Sequence, residues 1–164
     1  MELLTLDLDK IEDDFFDNCQ LLGLQTNASP TRLCWLLETY LGLCFQRRMT
    51  DDIDVRRIYD VPQAPQLNGT LFDHIDTPDE PVHFLVYRHV FHYTDLGILL
   101  YTNHRNGYYL LPESKSQNYL LLIQDEDFRI RDKELTEWLQ ELPTIEGVSV
   151  LQLDQLKHKS NLII

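Results

Sequence analysis

The sequence is poor in several features that would point to a particular activity. It has three cysteines, Cys19, Cys34 and Cys44, and no CxxC pair, so we expect reduced thiols rather than a disulfide framework or a structural zinc site. Its 14 basic residues stand against 27 acidic ones, which gives a net charge of −13. Because this charge repels phosphate groups, we expect no direct binding to nucleic acid or to anionic membranes.

Long apolar runs and catalytic motifs are missing as well. No stretch approaches the roughly 20 apolar residues that a membrane helix needs, and residues 1–14 lack the basic start of a signal peptide, so the protein is predicted to be cytoplasmic. The sequence contains no GxSxG, GxxxxGK[ST], GxGxxG or HExxH motif. We therefore expect no cofactor and favour a protein without enzymatic activity. A Ser–His–Asp arrangement, whose members need not be adjacent, is left open.

Two groups of side chains invite a metal-binding hypothesis without fitting it. Acidic residues crowd the N-terminal region, but an EF-hand loop needs a glycine at its sixth position and residues 1–17 contain none. His83, His89 and His92 follow one another closely, yet on a strand the third would point away from the face that the first two share. We therefore predict no metal site, a solvated acidic face and partly exposed strand histidines.

The clearest helix is predicted over residues 30–41. Ser29 can cap it, Pro30 suits the first helical position, and Gly42 can adopt the left-handed conformation that ends a helix. Leucines recur along it at helical spacing, so the helix should be well buried. By contrast, residues 50–81 hold four of the seven prolines, and we interpret them as a mobile loop or insertion.

The remaining segments mostly carry strand patterns. Asn106-Gly107 is a strong signal for a two-residue hairpin turn. A second helix is predicted from an N-cap at Asp132 to Pro143, with its buried stripe at Leu135, Trp138, Leu139 and Leu142. Strands are predicted at 3–8, 21–26, 83–91, 97–103, 108–111, 119–123 and 147–153. Residues 1–164 are therefore expected to form a single α+β domain, with an antiparallel β-sheet of about five to seven strands and two main helices packed on one face.

A polar segment, LPESKSQNY, interrupts two apolar runs at residues 111–119. It resembles the signature of the IPExxxVDY family of small bacterial proteins, with Leu111-Pro112-Glu113 at IPE and Gln117-Asn118-Tyr119 at VDY. The apolar helix RLCWLLETYLGL and the ending KSNLII also resemble the family's first helix and its usual close, so the resemblance covers most of the chain. The resemblance implies no established activity and hence no mechanism.

The departures from the family pattern favour a structural role of this segment over a catalytic one. Asn118 replaces an aspartate, and an amide can accept similar hydrogen bonds but cannot act as a general base. We therefore predict that Asn118 orders a turn by binding backbone N–H groups and that Pro112 ends the pairing of a strand. Glu113 either accepts N–H bonds from this turn, which we favour, or carries its charge to a partner.

Two functional hypotheses follow. The favoured one is a non-enzymatic protein-interaction or self-associating domain, with a homodimer preferred. Its apolar C-terminal residues 162–164 must either dock on their own sheet or cover a partner. The alternative is a small-molecule-binding regulatory domain, or a minor enzyme, with a pocket between sheet and helices. Glu113, Tyr119 and His89 are the candidate ligand-binding residues of that pocket, and no catalytic residue is assigned.

Overall fold

The computed structural model describes residues 7–60, 82–124 and 132–164. These residues form four α-helices: α1 Leu8–Phe16, α2 Pro30–Leu41, α3 Val55–Ile58 and α4 Asp132–Glu141. They also form ten strands: β1 Gln20–Thr26, β2 Gln46–Arg47, β3 Ile53–Asp54, β4 His83–Phe84, β5 Val86–Val90, β6 Gly97–Thr102, β7 His104–Arg105, β8 Tyr108–Tyr109, β9 Tyr119–Ile123 and β10 Ile145–Leu151. Of the helices in this part of the chain, none is long and apolar enough to cross a membrane.

Six strands form one antiparallel sheet in the order β10-β1-β9-β6-β5-β2. Strand β1, which is near the start of the chain, lies between β9 and β10, which are near the end of the chain. Strands β3 and β4 form a separate two-stranded ribbon, as do β7 and β8. The predicted α+β fold with an antiparallel sheet is therefore confirmed.

The sheet buries both of its faces. Helices α2 and α4 pack on one face through Leu33, Leu37, Leu135 and Leu139, as the sequence analysis predicted for the two main helices. The opposite face is covered by α1 and α3, which were not predicted there, and by the C-terminal segment, whose docking on its own sheet was one of two predicted alternatives. Strands β6 and β9 are buried along their whole length, because both faces beside them are covered.

The local signals around α2 are all present in the structure. Ser29 Oγ accepts a hydrogen bond from the backbone N–H of Arg32, Pro30 opens the helix, and Gly42 follows it with a φ of 69°. The stripe predicted for α4 is correct at its leucines but wrong at Trp138, which is 47% exposed. The Asn106-Gly107 turn has φ values of 47° and 85°, the positive pair that a type I′ hairpin requires.

Several predicted strands differ from the observed ones. Asp7 caps α1 by accepting from the N–H of Lys10, so the strand predicted at 3–8 is wrong at 7–8, and residues 3–6 lie outside the described residues. The predicted strand 83–91 divides at Leu85, whose N–H is bound by Thr102 Oγ1, so β4 pairs with β3 and β5 with β6. Strand β8 ends at Tyr109 rather than at residue 111. An alternating pattern shows which residues of a strand share a face. Where the strand begins and ends depends on the strands with which it pairs.

The segment 50–81, predicted as a mobile loop or insertion, contains regular elements where the structure describes it. Residues 50–60 contain a 3₁₀ turn, β3 and α3. They are held by Asp52, whose carboxylate pairs with Arg47 at 2.5 Å and accepts the N–H of Val86 at 3.1 Å. The side chain of Asp52 is only 3% exposed, which favours a paired charge. Residues 61–81, with their four prolines, lie outside the described residues.

Candidate functional site

The three predicted ligand-binding residues do not converge. Tyr119 opens β9 on the face that carries α2 and α4. His89 pairs with Ile98, which in turn pairs with Ile123 at the far end of β9, so along the strand direction it lies about 13 Å from Tyr119, at ~3.3 Å per residue. Glu113 contacts the C-terminal segment, which belongs to the opposite core.

His89 has structural contacts of its own. Its Nδ1 lies 3.2 Å from the carbonyl oxygen of Cys44, and its ring packs edge-on against Phe91 and at a tilt against Phe45. These contacts join the end of β5 to the segment that follows α2. They account for His89 without a ligand.

Glu113 binds the C-terminal segment, and within its own turn only its own backbone N–H acts on the carboxylate as well, so the turn that we favoured is not its main partner. Its Oε1 accepts the backbone N–H of His158 at 3.0 Å, and its Oε2 lies 2.8 Å from Nδ1 of the same residue. Partial burial raises the pKa of Glu113, but backbone hydrogen bonds from His158 and from Glu113 itself, together with the side-chain bond and charge of His158, outweigh it, so the pKa is lowered overall. The carboxylate is thus an anchor for the chain's end.

Glu113→Gln should make the protein less sensitive to acid. A lowered folded pKa means that the carboxylate stabilises the fold above its ordinary value of 4.5, and that this contribution is lost as the pH falls through the folded pKa. The variant keeps an acceptor but no charge, so we expect its free energy of unfolding to be lower than that of wild type by less than about 1 kcal/mol at pH 7. This difference should vanish at low pH. Urea unfolding of both proteins at neutral and at low pH measures the difference.

The control for this experiment is Glu137→Gln. Glu137 is exposed on α4, so its replacement should leave stability nearly unchanged at either pH. If wild type and Glu113→Gln differed by the same amount at neutral and acid pH, the charge of Glu113 would have no part in the anchor.

The end of the chain docks on its own subunit. Tyr101 donates its hydroxyl proton to the carbonyl of Leu162, and Asn161 donates from Nδ2 to the carbonyl of Leu110, both at 2.8 Å. Arg57 donates to the carbonyl of Asn161 at 2.7 Å, and Leu162 is fully buried. The apolar C-terminal residues could either dock on their own sheet or cover a partner. In the structure they dock on their own chain.

Asn118 binds the backbone of β1 and of Asn103, the residue that follows β6. Its Oδ1 accepts the N–H of Thr26 and its N–H donates to the carbonyl of Leu24, both at 2.8 Å, while its carbonyl accepts the N–H of Asn103 at 2.9 Å. The N–H donor to its side chain therefore belongs to β1 and not to a local turn. Pro112 begins the 3₁₀ turn Pro112–Ser114. Asn118 and Pro112 therefore both help to shape the segment Leu111–Tyr119.

Asn103 holds this segment from inside, and sequence reasoning missed it. The residue is fully buried, and its Nδ2 donates to the carbonyls of Ser114 and Gln117 at 2.8 and 2.9 Å. Its Oδ1 accepts the N–H of Leu111 at 2.8 Å. An asparagine just after a strand gives no local signal that distinguishes this role from that of an exposed turn residue.

A pocket opens beside the end of this segment, at Asn118 and Tyr119. It has a volume of about 270 Å³ and lies where β1, β6 and β9 end or begin, between the start of α2 and the β7–β8 hairpin. Of the three predicted ligand-binding residues only Tyr119 lines it, together with Asn118. Tyr119 donates its hydroxyl proton to the carbonyl of Ala28 at 2.6 Å, and burial raises the pKa of Tyr119 to about 12.

The outer edge of β10 is the second surface of interest. This seven-residue strand pairs with β1 along one side, and no strand of the described residues pairs with its other side. Glu146 is its one charged residue, it has no proline or lysine, and Val150 is 49% exposed. Helix α4 packs beside it.

The cysteines and acidic side chains do not form a reactive centre in the part of the chain described. No disulfide joins Cys19, Cys34 or Cys44. Burial raises the pKa of the Cys34 thiol to about 11, so its reactive thiolate is scarce at neutral pH. The described residues contain no group of three His, Cys, Asp or Glu placed to hold a metal ion.

Comparison with known proteins adds no assignment, since no family model, curated protein or solved structure matches this chain. Its function must be argued from two features of its own geometry. These are the edge of β10 and the pocket beside Tyr119.

Proposed function

We propose that this chain is a non-enzymatic, cytoplasmic domain that associates with a second copy of itself through the outer edge of β10. The observation that carries the proposal is the seven-residue strand with one unpaired side among the described residues. A cytoplasmic location fits three cysteines without a disulfide. We further propose membership of the IPExxxVDY family, on the motif at residues 111–119.

The edge has little of the usual protection against pairing beyond an irregularity near its start. Proteins protect an exposed edge with lysine, proline, a bulge or a very short strand, because its N–H and C=O groups otherwise template another strand. The opposite edge, β2, has only two residues. Strand β10 is longer than a typical strand of about five or six residues, and its one irregularity lies near its start, where the register with β1 shifts between Gln25 and Thr26 and leaves Glu146 without a partner.

Two copies of β10 complement each other when they pair antiparallel. Full overlap about a two-fold axis places Val148 opposite its own counterpart and Glu146 opposite Val150 of the second copy. The two Glu146 side chains therefore do not oppose each other, and valine meets valine at the centre. The result is a continuous sheet with six strands from each copy, which is an isologous interface.

This interface replaces the one suggested by the C-terminal residues. Leu162 is fully buried within its own chain, and of the three apolar end residues only Ile164 is exposed, at 36%. The homodimer hypothesis therefore stands on β10 and not on residues 162–164. A net charge of −13 on each copy opposes association. Because salt screens this repulsion, the dimer should become tighter as the salt concentration rises.

Val150→Glu should weaken the dimer, because it places two carboxylates opposite Glu146 side chains across the two-fold axis. Each like-charge pair costs roughly 0.2–1 kcal/mol, and symmetry makes two of them, so the dimer dissociation constant should rise about tenfold. Val150→Lys should leave it unchanged or tighter, since lysine would face Glu146. Sedimentation equilibrium at fixed ionic strength measures all three proteins.

Val90→Glu is the matched control. Val90 is 42% exposed, close to the 49% of Val150, but it ends β5, which lies between β6 and β2. The control should dimerise like wild type. A wild-type chain that stays monomeric at all concentrations and salt levels would refute the proposal, and equal weakening by Val150→Glu and Val90→Glu would refute this interface.

A further inference from the structure

The pocket beside Tyr119 has a charge unlike that of the rest of the chain. The protein carries 27 acidic residues, yet no aspartate or glutamate is among the described residues that line the pocket, whereas His104 and Arg105 are. The nearest acid in the hydrogen-bond network is Glu146, which accepts from Nδ2 of Asn27 at the rim. The pocket is therefore a locally cationic spot on an acidic surface.

Arg105 is a cation without a counter-charge in the described structure. Its side chain is exposed on β7, and it makes no ion pair or hydrogen bond with any described residue. Its charge nevertheless acts inside the pocket, because it partly opposes the burial that raises the pKa of Tyr119. A planar guanidinium offers paired N–H donors that match the two oxygens of a carboxylate.

Two other polar side chains of the pocket, Asn118 and Thr102, have an acceptor occupied and a donor left over. Asn118 Oδ1 accepts from Thr26, which leaves its NH₂ group to donate. Thr102 Oγ1 accepts the N–H of Leu85, which leaves its hydroxyl proton to donate. A ligand with acceptor oxygens would satisfy both of these donors.

We propose that this pocket binds a small organic carboxylate, with Arg105 as its charge partner and Asn118 and Thr102 as supporting donors. A volume of about 270 Å³ equals about nine water molecules at ~30 Å³ each, which suits an acid of few heavy atoms. The site does not depend on association through β10, because Arg105 and Asn118 belong to the hairpin and to the segment before β9.

Succinate and its neutral counterpart succinamide test the proposal at constant ionic strength, by titration followed with amide NMR. Wild type should show saturable shifts around the pocket with succinate and none with succinamide. Arg105→Gln should weaken the succinate affinity at least about tenfold, the loss expected when one charged hydrogen-bond pair is removed. Arg48→Gln, which removes an exposed arginine distant in sequence from the pocket, should bind like wild type.

Asn118→Asp separates ligand binding from folding. An aspartate can still accept the N–H of Thr26, so the fold should persist, but it replaces the donor by a negative charge and should abolish the succinate shifts. Shifts that do not saturate, that succinamide reproduces, or that survive in both Arg105→Gln and Asn118→Asp would overturn the carboxylate site. Stronger binding of inorganic phosphate than of succinate would overturn it as well.

Discussion

Asn103→Ala should lower the free energy of unfolding by about 3–5 kcal/mol. The side chain satisfies three backbone groups, which are the N–H of Leu111 and the carbonyls of Ser114 and Gln117. Because Asn103 is fully buried, water cannot replace these bonds without opening the segment, and each unsatisfied buried group costs roughly 1–3 kcal/mol. Urea unfolding of the variant gives the number.

Asn27→Ala provides the control for this loss. Asn27 is exposed and makes one side-chain bond, to Glu146, so its replacement should cost less than about 0.5 kcal/mol. Hydrogen exchange should also locate the effect, with faster exchange at Leu111 in Asn103→Ala alone. Equal stability of the two variants would mean that the segment Leu111–Tyr119 holds itself without Asn103.

Gly97→Ala should cost about 3 kcal/mol for a different reason. A β-carbon at this position would lie 2.0 Å from the backbone oxygen of His89 and 3.3 Å from the α-carbon of Val90. Both atoms belong to backbone, so no side chain can turn away, and β5 must move relative to β6. Insertion of one carbon into a filled space typically costs about 1–3 kcal/mol, and the upper end applies where backbone must yield.

Gly42→Ala separates this clash from the ordinary cost of replacing a glycine. Gly42 has a φ of 69° but nothing within 4 Å of an added β-carbon, so only backbone strain of about 1 kcal/mol is expected. Thermal unfolding of the two variants compares them directly. If Gly97→Ala were no less stable than Gly42→Ala, the close approach of β5 and β6 at His89 would be wrong.

The elements that could be predicted are those with strong local signals. Helix α2 has a cap at Ser29, a proline at its first position and a glycine after its end, and the type I′ turn depends only on Asn106 and Gly107. The order of the strands could not be predicted, because it depends on pairings between distant segments, such as β1 with β9 and β10. Such pairings leave no local mark in an alternating pattern.

The site was predictable in part for the same reason. The motif at residues 111–119 drew attention to Asn118 and Tyr119, which do line the pocket. Arg105 lies outside the motif, and it joins these residues only because the hairpin folds back to the start of α2. Glu113 meets His158 through a tertiary contact of the same kind. Residues that act together across such distances cannot be grouped without the fold.

Hydrogen exchange of wild-type β10 at two protein concentrations tests the proposed function most directly. Strand β1 protects only the amides on one side of β10, so pairing with a second copy should slow exchange at the amides on the other side as the concentration rises. The amides of β7 and β8 should not respond and serve as an internal reference. Exchange in β10 that is independent of concentration would contradict association through this edge.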